Sequence, residues 1–130
     1  MPQYRKLLAW LPALLWAGVI FWLSSMPFPP SPGPRFPGKD KVGHWAIYGL
    51  LGYLVTRGLR AHNLSLPKTL ALAMILTSAY GASDEWHQSF VPYRQASVED
   101  LTADFMGVFL GTLVLLWMAG VFKRKERIRA

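Results

Sequence analysis

The stretch YGASDEWHQSFVPYRQASVEDLTADFMGVFLG, residues 80–111, sets a group of polar side chains between two apolar segments. Within 21 positions it holds Asp84, Glu85, His87, Gln88, Arg94, Glu99, Asp100 and Asp104. The flanking segments 70–82 and 105–122 carry no charged residue. Ionisable groups are costly near lipid, so those found there are functional candidates. The stretch therefore predicts a membrane protein with one polar site at the mouth of a helix bundle.

The composition limits the chain to one domain and favours a membrane protein. Its 130 residues are 52% hydrophobic, so the few charges lie in short segments between apolar runs. The absence of cysteine excludes disulfides and thiolate metal sites. The net charge of +7 comes largely from basic residues at the ends of apolar runs, where anionic headgroups explain them better than nucleic acid. We expect membrane lipid as a partner and no nucleic acid, and the residues specify no oligomeric state.

The apolar segments predict an all-α fold with four transmembrane helices in a single domain, residues 1–130. We expect the helices at about residues 7–23, 42–59, 66–88 and 98–122, a proline-rich loop at 27–38 and a basic tail at 123–130. Six prolines and two glycines exclude a helix in the loop. A cleaved signal peptide is the alternative for the first segment. No small-x-small cleavage site follows it and more spans come later, so we expect it to be retained.

Two of the expected helices carry signals of how they begin and pack. In the second, Asp40 is expected as the N-cap, and His44 shares a face with Tyr48. In the fourth, Ser97 begins a capping-box pattern that starts the helix at about residue 98. The small residues expected to let neighbouring helices approach closely are Gly43, Gly49, Gly52, Gly107 and Gly111.

The distribution of Lys and Arg predicts the orientation in the membrane. With four spans, one side holds ten of these residues and the other holds four, which together make the 14 in the sequence. The positive-inside rule assigns the richer side to the cytoplasm. Both termini are therefore expected to be cytoplasmic, and the polar site is expected at the outer face.

His44 is the first candidate for general acid/base chemistry, because imidazole is the side chain that titrates nearest neutrality. Asp40 lies four residues before it, and Glu85 is expected to orient or protonate it from the third helix. Arg94, helped by Lys41, is expected to hold an anionic headgroup, since a guanidinium matches phosphate geometry in a bidentate way. These side chains favour a lipid phosphate as the ligand.

A divalent metal site is a second hypothesis, because nitrogen and oxygen ligands are expected to converge between the helices. No H-E-x-x-H motif is present, so no ligand set is assigned. The candidate metal ligands are His44, Glu85, His87, Asp100 and Asp104. A third hypothesis is structural: Glu85 and Asp100 pair with Arg94 and His44 and lock the helix ends together.

With these residues in view, the chain resembles the VanZ-like family of small bacterial membrane proteins. The segment DKVGH, residues 40–44, with Tyr48 and Gly52, looks like the first family motif, a D-K-x-x-H before an aromatic-rich helix. The residues that match the second motif are Asp84, Glu85, Gln88, Phe90, Pro92, Arg94, Ser97, Asp100, Gly107 and Gly111. Two positions depart from it: Tyr93 stands where the family often has glycine, and Asp104 stands where it usually has asparagine.

The resemblance implies a multi-pass protein of the bacterial plasma membrane, in a family whose namesake is associated with teicoplanin resistance. The expected activity is that of a hydrolase or transferase on phosphate-bearing headgroups, with a phospholipid or a lipid-linked cell-wall precursor such as a polyprenyl phosphate as substrate. The alternatives are a non-catalytic lipid or glycopeptide binder and a small permease. The expected catalytic residues are His44, Glu85, Asp100 and Asp40. The expected substrate contacts are Arg94, Gln88, Lys41, Tyr48 and Asp84.

Overall fold

The protein is a bundle of four long helices. The computed structural model describes the backbone of residues 2–129 and the side chains of residues 2–120. The helices are α1 (Gln3–Ser24), α2 (Lys39–Arg60), α3 (Leu66–Gln88) and α4 (Val98–Arg129). No strand occurs within residues 2–129, which confirms the all-α prediction. The backbone of α4 continues beyond the expected end near residue 122, while the side chains of the predicted basic tail lie outside the described residues.

The outer surface of the bundle is apolar where a soluble protein would be polar. Two helices, Gln3–Ser24 and Val98–Gly120, are long and apolar enough to cross a membrane. Large apolar side chains are exposed along them, including Leu7, Leu14 and Trp117 at 70%, 66% and 71%. Exposed apolar surface of this extent is a liability in water and ordinary in lipid. The helices α2 and α3 carry more polar residues, which lower their hydropathy.

Glycines bring α2 and α4 into backbone contact. A Cβ at Gly52 would lie 2.8 Å from the carbonyl oxygen of Val108, and a Cβ at Gly107 would lie 2.7 Å from that of Trp45. A Cβ at Gly111 would overlap the backbone of Gly49. The prediction of close approach is therefore confirmed for four of the five glycines. It is wrong for Gly43, because a Cβ there would meet nothing within 4 Å.

The bundle interior combines apolar side chains with small hydroxyl groups. Tyr48, Leu51 and Val55 are buried on one face of α2. Deeper in the bundle, the hydroxyl of Thr56 donates to the carbonyl oxygen of Gly52 and contacts the hydroxyl of Thr112 on α4 at 3.2 Å. Packing through small and hydroxyl residues is typical of membrane helices, which have no hydrophobic driving force between them.

The helix ends explain where polar groups gather. The N-cap of α2 is Gly38, with a left-handed φ of 79°, and not Asp40 as predicted. A glycine adopts this conformation at no steric cost. Because α2 begins directly after Gly38, Asp40 lies in its first turn. At the start of α4, the amide of Asp100 donates to the hydroxyl of Ser97 at 2.9 Å, so the predicted cap is confirmed.

Successive helices run in opposite directions, so four helix ends meet at one end of the bundle. Gln88 at the end of α3 contacts Ser24 at the end of α1, and Lys41 at the start of α2 contacts Asp100 at the start of α4. The loop between α1 and α2 and the loop between α3 and α4 lie at this same end. Every residue predicted to belong to the polar site therefore lies at or near it.

Candidate functional site

Three side chains from three helices form what we call the acid–histidine cluster: His44 of α2, Glu85 of α3 and Asp104 of α4. Each offers one nitrogen or oxygen atom, and these atoms lie within 4.8 Å of one another. The Nδ1 of His44 lies 2.6 Å from the Oδ1 of Asp104, whose side chain is only 1% exposed. The sequence identified all three residues as candidates, but it linked His44 to Asp40 along α2. The structure joins it to Asp104 across the bundle.

The cluster leaves two buried carboxylate oxygens without a hydrogen-bond donor. These atoms are the Oδ2 of Asp104 and the Oε1 of Glu85. The other oxygen of Glu85 accepts from the backbone amide of Ser97 at 3.2 Å. In a capping box, this amide would be bound by the acid at the third position of the same helix. Here Glu85 of α3 takes that role, which leaves the carboxylate of Asp100 free to bind Lys41.

A second set of polar side chains, here called the polar chain, links α1, α2, α3 and the loop at 89–97. The hydroxyl of Tyr48 donates to Asp84 at 2.8 Å, and the amide of Gln88 donates to the same carboxylate oxygen at 3.0 Å. Gln88 also donates to Ser24 at 3.2 Å and accepts from the guanidinium of Arg94 at 2.5 Å. The sequence predicted the other four residues and missed Ser24, whose position at the end of an apolar helix gave no signal of a polar role.

Lys41 is surrounded by acids and pairs with them. It bonds to Asp100 and lies 3.1 Å from Asp40 and 3.7 Å from Glu99. The hydrogen bond to Asp100 raises the pKa of Lys41 above its usual range, and Lys41 in turn lowers the pKa of Asp40. Lys41 therefore stays charged and links the first turns of α2 and α4. Neither Asp40 nor Asp100 joins the acid–histidine cluster.

A cavity of about 610 Å³ opens beside both sets of polar residues. We call it the proline-loop cavity. Its walls come from the end of α1, the proline-rich loop and the first half of α2, and they are mainly apolar, with Ile20, Leu23, Pro30, Phe36 and Ile47 among the lining residues. Its polar lining includes His44, Tyr48, Asp84, Gln88, Arg94 and Asp100. The cavity thus joins an apolar wall to the polar chain and to one member of the acid–histidine cluster.

A protein-family model described as VanZ/LLP1 matches residues 38–119, well over half of the chain. The chain belongs to the VanZ/LLP1 family. No curated protein and no solved structure matches it. The matched region contains all of α2 and α3, most of α4 and the entire acid–histidine cluster, whereas α1 lies outside it. Family membership and the two apolar helices together identify a VanZ-like membrane protein.

Two long loops cover the end of the VanZ/LLP1 bundle at which the polar residues gather. The ammonium of Lys39 donates to the carbonyl oxygens of Ser31 and Gly33, at 3.1 and 2.9 Å, and holds the proline-rich loop against α2. Tyr93 stacks on Phe28 with ring centroids 5.4 Å apart, which joins the two loops. Tyr93 has a φ of 63°, in the left-handed region, so a glycine would fit this position without strain. This backbone conformation explains why glycine is the residue expected at position 93 from the family resemblance.

Two sequence expectations differ from the structure of this VanZ/LLP1 member. His87 lies away from the acid–histidine cluster, since it contacts the hydroxyl of Ser25 at 3.1 Å and stacks on Phe21 of α1. His87 is therefore not a ligand of a metal bound by this cluster. The structural hypothesis paired Glu85 and Asp100 with Arg94 and His44, yet these four side chains contact Ser97, Lys41, Gln88 and Asp104 respectively.

Proposed function

We propose that the protein is a four-span protein of the bacterial plasma membrane that binds phosphate-bearing lipids at its outer face and hydrolyses or transfers their headgroups. A phospholipid or a polyprenyl phosphate would meet these requirements. The single observation that carries the proposal is the proline-loop cavity, in which an apolar wall continues into a polar end. A molecule with both characters fits such a cavity, because pockets bind the apolar part by burial and orient the rest through a few polar groups.

Arg94 is the group best suited to hold the phosphate. It lines the proline-loop cavity, and its observed side-chain partner is the neutral Gln88. Among the side chains of residues 2–120, no carboxylate lies within 4.0 Å of its guanidinium. A guanidinium without a carboxylate partner keeps its positive charge available, and its planar donors match two phosphate oxygens.

The acid–histidine cluster supplies chemistry next to this anchor. An imidazole held by a carboxylate can accept a proton from water or from an acceptor hydroxyl as that oxygen attacks phosphorus. A new phosphorus–oxygen bond then forms, the bond to the leaving group breaks, and the leaving oxygen takes up a proton. The alternative is a binder that holds the same lipid without turnover, which the same cavity and the same Arg94 would serve.

Replacing Arg94 by Gln is expected to weaken binding of polyprenyl phosphate or phosphatidic acid by at least about 10-fold, because a charge-assisted hydrogen bond contributes about 1.5–3 kcal/mol. Binding of the matched uncharged lipids, polyprenol and diacylglycerol, should not change. The measurement is lipid titration of purified protein in nanodiscs. Arg35→Gln is the matched control, because Arg35 is exposed in the proline-rich loop and does not line the cavity.

Enzyme and binder are separated by turnover in the same preparation. An enzyme releases or transfers the headgroup, and His44→Ala abolishes this while Arg35→Gln does not. Lipid binding that depends on Arg94, with no product from wild-type protein, would establish the binder. If neither lipid binds, or if Arg94→Gln and Arg35→Gln bind alike, the proposed function is wrong.

The proposed orientation predicts which loops can be labelled from outside the cell. Because the chain has no cysteine, single cysteines can be introduced without removing any. Ser31→Cys in the proline-rich loop should react with a membrane-impermeant maleimide in intact cells. Ser65→Cys, before α3 at the opposite end of the bundle, should react only after permeabilisation. The reverse pattern, or labelling of both positions in intact cells, would contradict four spans with an outward site.

A further inference from the structure

We infer that His44, Glu85 and Asp104 bind one divalent cation that accepts mixed nitrogen and oxygen ligands, Zn²⁺ or Mn²⁺. The inference deepens the proposed function, on which its catalytic meaning rests, while cation binding itself can be measured without any lipid.

The first argument is the geometry of the donors. One nitrogen and two oxygens from three different helices lie within 4.8 Å of one another. A tetrahedral Zn²⁺ binds such ligands at about 2.0–2.2 Å, which sets neighbouring ligands about 3.4 Å apart. The remaining gap is of the order of 1 Å, within reach of side-chain rotation. Three protein ligands also leave a position open for substrate or water, as at catalytic zinc sites.

The second argument is the pair of buried oxygens that lack a partner. The Oδ2 of Asp104 and the Oε1 of Glu85 accept no hydrogen bond, and the two residues are 1% and 6% exposed. A buried acceptor left unpaired is costly, and a buried carboxylate more so. A cation between these oxygens would satisfy both of them at once.

The third argument is the balance of charge at this end of the bundle. Asp84, Glu85 and Asp104 are all at least nine-tenths buried. Neither nearby cation pairs with these three acids, since Lys41 binds Asp100 and Arg94 donates to the neutral Gln88. His44 alone faces the acids of the cluster. These buried carboxylates would repel a phosphate unless a further positive charge offset them. A divalent cation supplies that charge.

The cation would also define what each ligand does. His44 and Asp104, now 2.6 Å apart, would lose the proton between them, because metal ligands must be deprotonated. With the cation bound, His44 would act as a ligand in place of the proton-accepting role that it has in the cation-free site. The cation would face the proline-loop cavity through His44, which lines it. It would then polarise a phosphate oxygen as a Lewis acid and favour ionisation of a water molecule beside it. Arg94 would hold the phosphate from the other side.

The test uses full-length protein in detergent, freed of metal with a chelator and then dialysed against Zn²⁺ or Mn²⁺. Elemental mass spectrometry should find one ion per chain. Glu85→Gln and Asp104→Asn should each weaken binding by at least about 100-fold, and the ion should raise the melting temperature of wild-type protein but not of these variants. His44→Gln should behave as they do. The matched controls are His87→Gln and Glu99→Gln, which lie outside the cluster and should keep full occupancy.

Other outcomes would overturn the site. Wild-type protein that takes up no ion, while Glu85→Gln and Asp104→Asn melt at higher temperature, would mean that the two acids share a proton instead. Uptake that His87→Gln reduces as much as His44→Gln would mean that the ion binds elsewhere. The lipid experiment is independent of the cation experiment. A protein that binds the ion but no phosphate lipid refutes only the proposed function. A protein that binds phosphate lipid but no ion refutes only the cation site.

Discussion

A Gly111→Ala variant is expected to lose much of its stability, because α2 and α4 touch through their backbones at this point. The added Cβ would lie 3.0 Å from the Cα of Gly49 and closer still to its carbonyl group. Backbone atoms inside two packed helices cannot turn aside as a flexible side chain can, so the helices must separate. Overpacking of a tight interior costs about 1–3 kcal/mol and occasionally more. We expect the upper end of that range or failure to fold.

The matched control is Gly120→Ala on the same helix, where a Cβ meets nothing within 4 Å. Alanine favours a helix over glycine by up to about 1 kcal/mol, so this variant should be neutral or slightly stabilised. Thermal unfolding in detergent, followed by tryptophan fluorescence, measures both variants. Equal melting temperatures for Gly111→Ala and Gly120→Ala would show that α2 and α4 do not approach as described.

An Asp84→Ala variant is expected to show the second large effect, at the centre of the polar chain. Tyr48 and Gln88 both donate to one oxygen of Asp84, and all three side chains are buried. Removing the acceptor leaves two donors unpaired, at about 1–3 kcal/mol each. Because Gln88 also accepts from Arg94, the guanidinium loses its orientation and the binding of phosphate lipid should fall as well.

Asp40→Ala is the matched control, since this acid lies at the same end of the bundle with its side chain 65% exposed. Its effect on unfolding should stay within about 0.5 kcal/mol. Asp84→Asn keeps an oxygen acceptor, so its free energy of unfolding should lie between those of Asp84→Ala and Asp40→Ala. Thermal unfolding gives the order of stability, and lipid titration gives the effect on Arg94. A stability of Asp84→Ala equal to that of Asp40→Ala would mean that the polar chain contributes nothing.

The sequence predicted four helices because helix formation depends on local patterns, although α1 and α2 begin before the expected residues 7 and 42 and α4 continues past residue 122. Apolar segment length, the serine before α4 and the glycine spacing act over a few residues. Successive helices run in opposite directions, so the positions of the polar residues along the chain place them all at one end of the bundle. This is why His44, Glu85 and Arg94 could be expected at one end of the bundle although His44 lies more than 40 positions before the other two.

The pairing within the site could not be predicted, because it depends on how the helices are rotated against each other. Asp40 is the nearest acid to His44 along the chain, yet the glycines draw α4 so close to α2 that Asp104 reaches His44 instead. The same close approach of α4 to α2 brings Asp100 within hydrogen-bond distance of Lys41. The proline-loop cavity depends on the paths of two loops. The left-handed conformation of Gly38, which places Asp40 inside α2 instead of at its cap, also belongs to a loop.

The hydrogen bond from the amide of Ser97 to Glu85 turns the connection between α3 and α4 into a closed ring. Arg94 lies within this ring, so the segment that carries it is tethered at both ends before any ligand arrives. A short tethered segment has little conformational entropy left to lose. In the proposed function, the guanidinium would therefore meet the phosphate already ordered, and more of the interaction energy would remain as affinity.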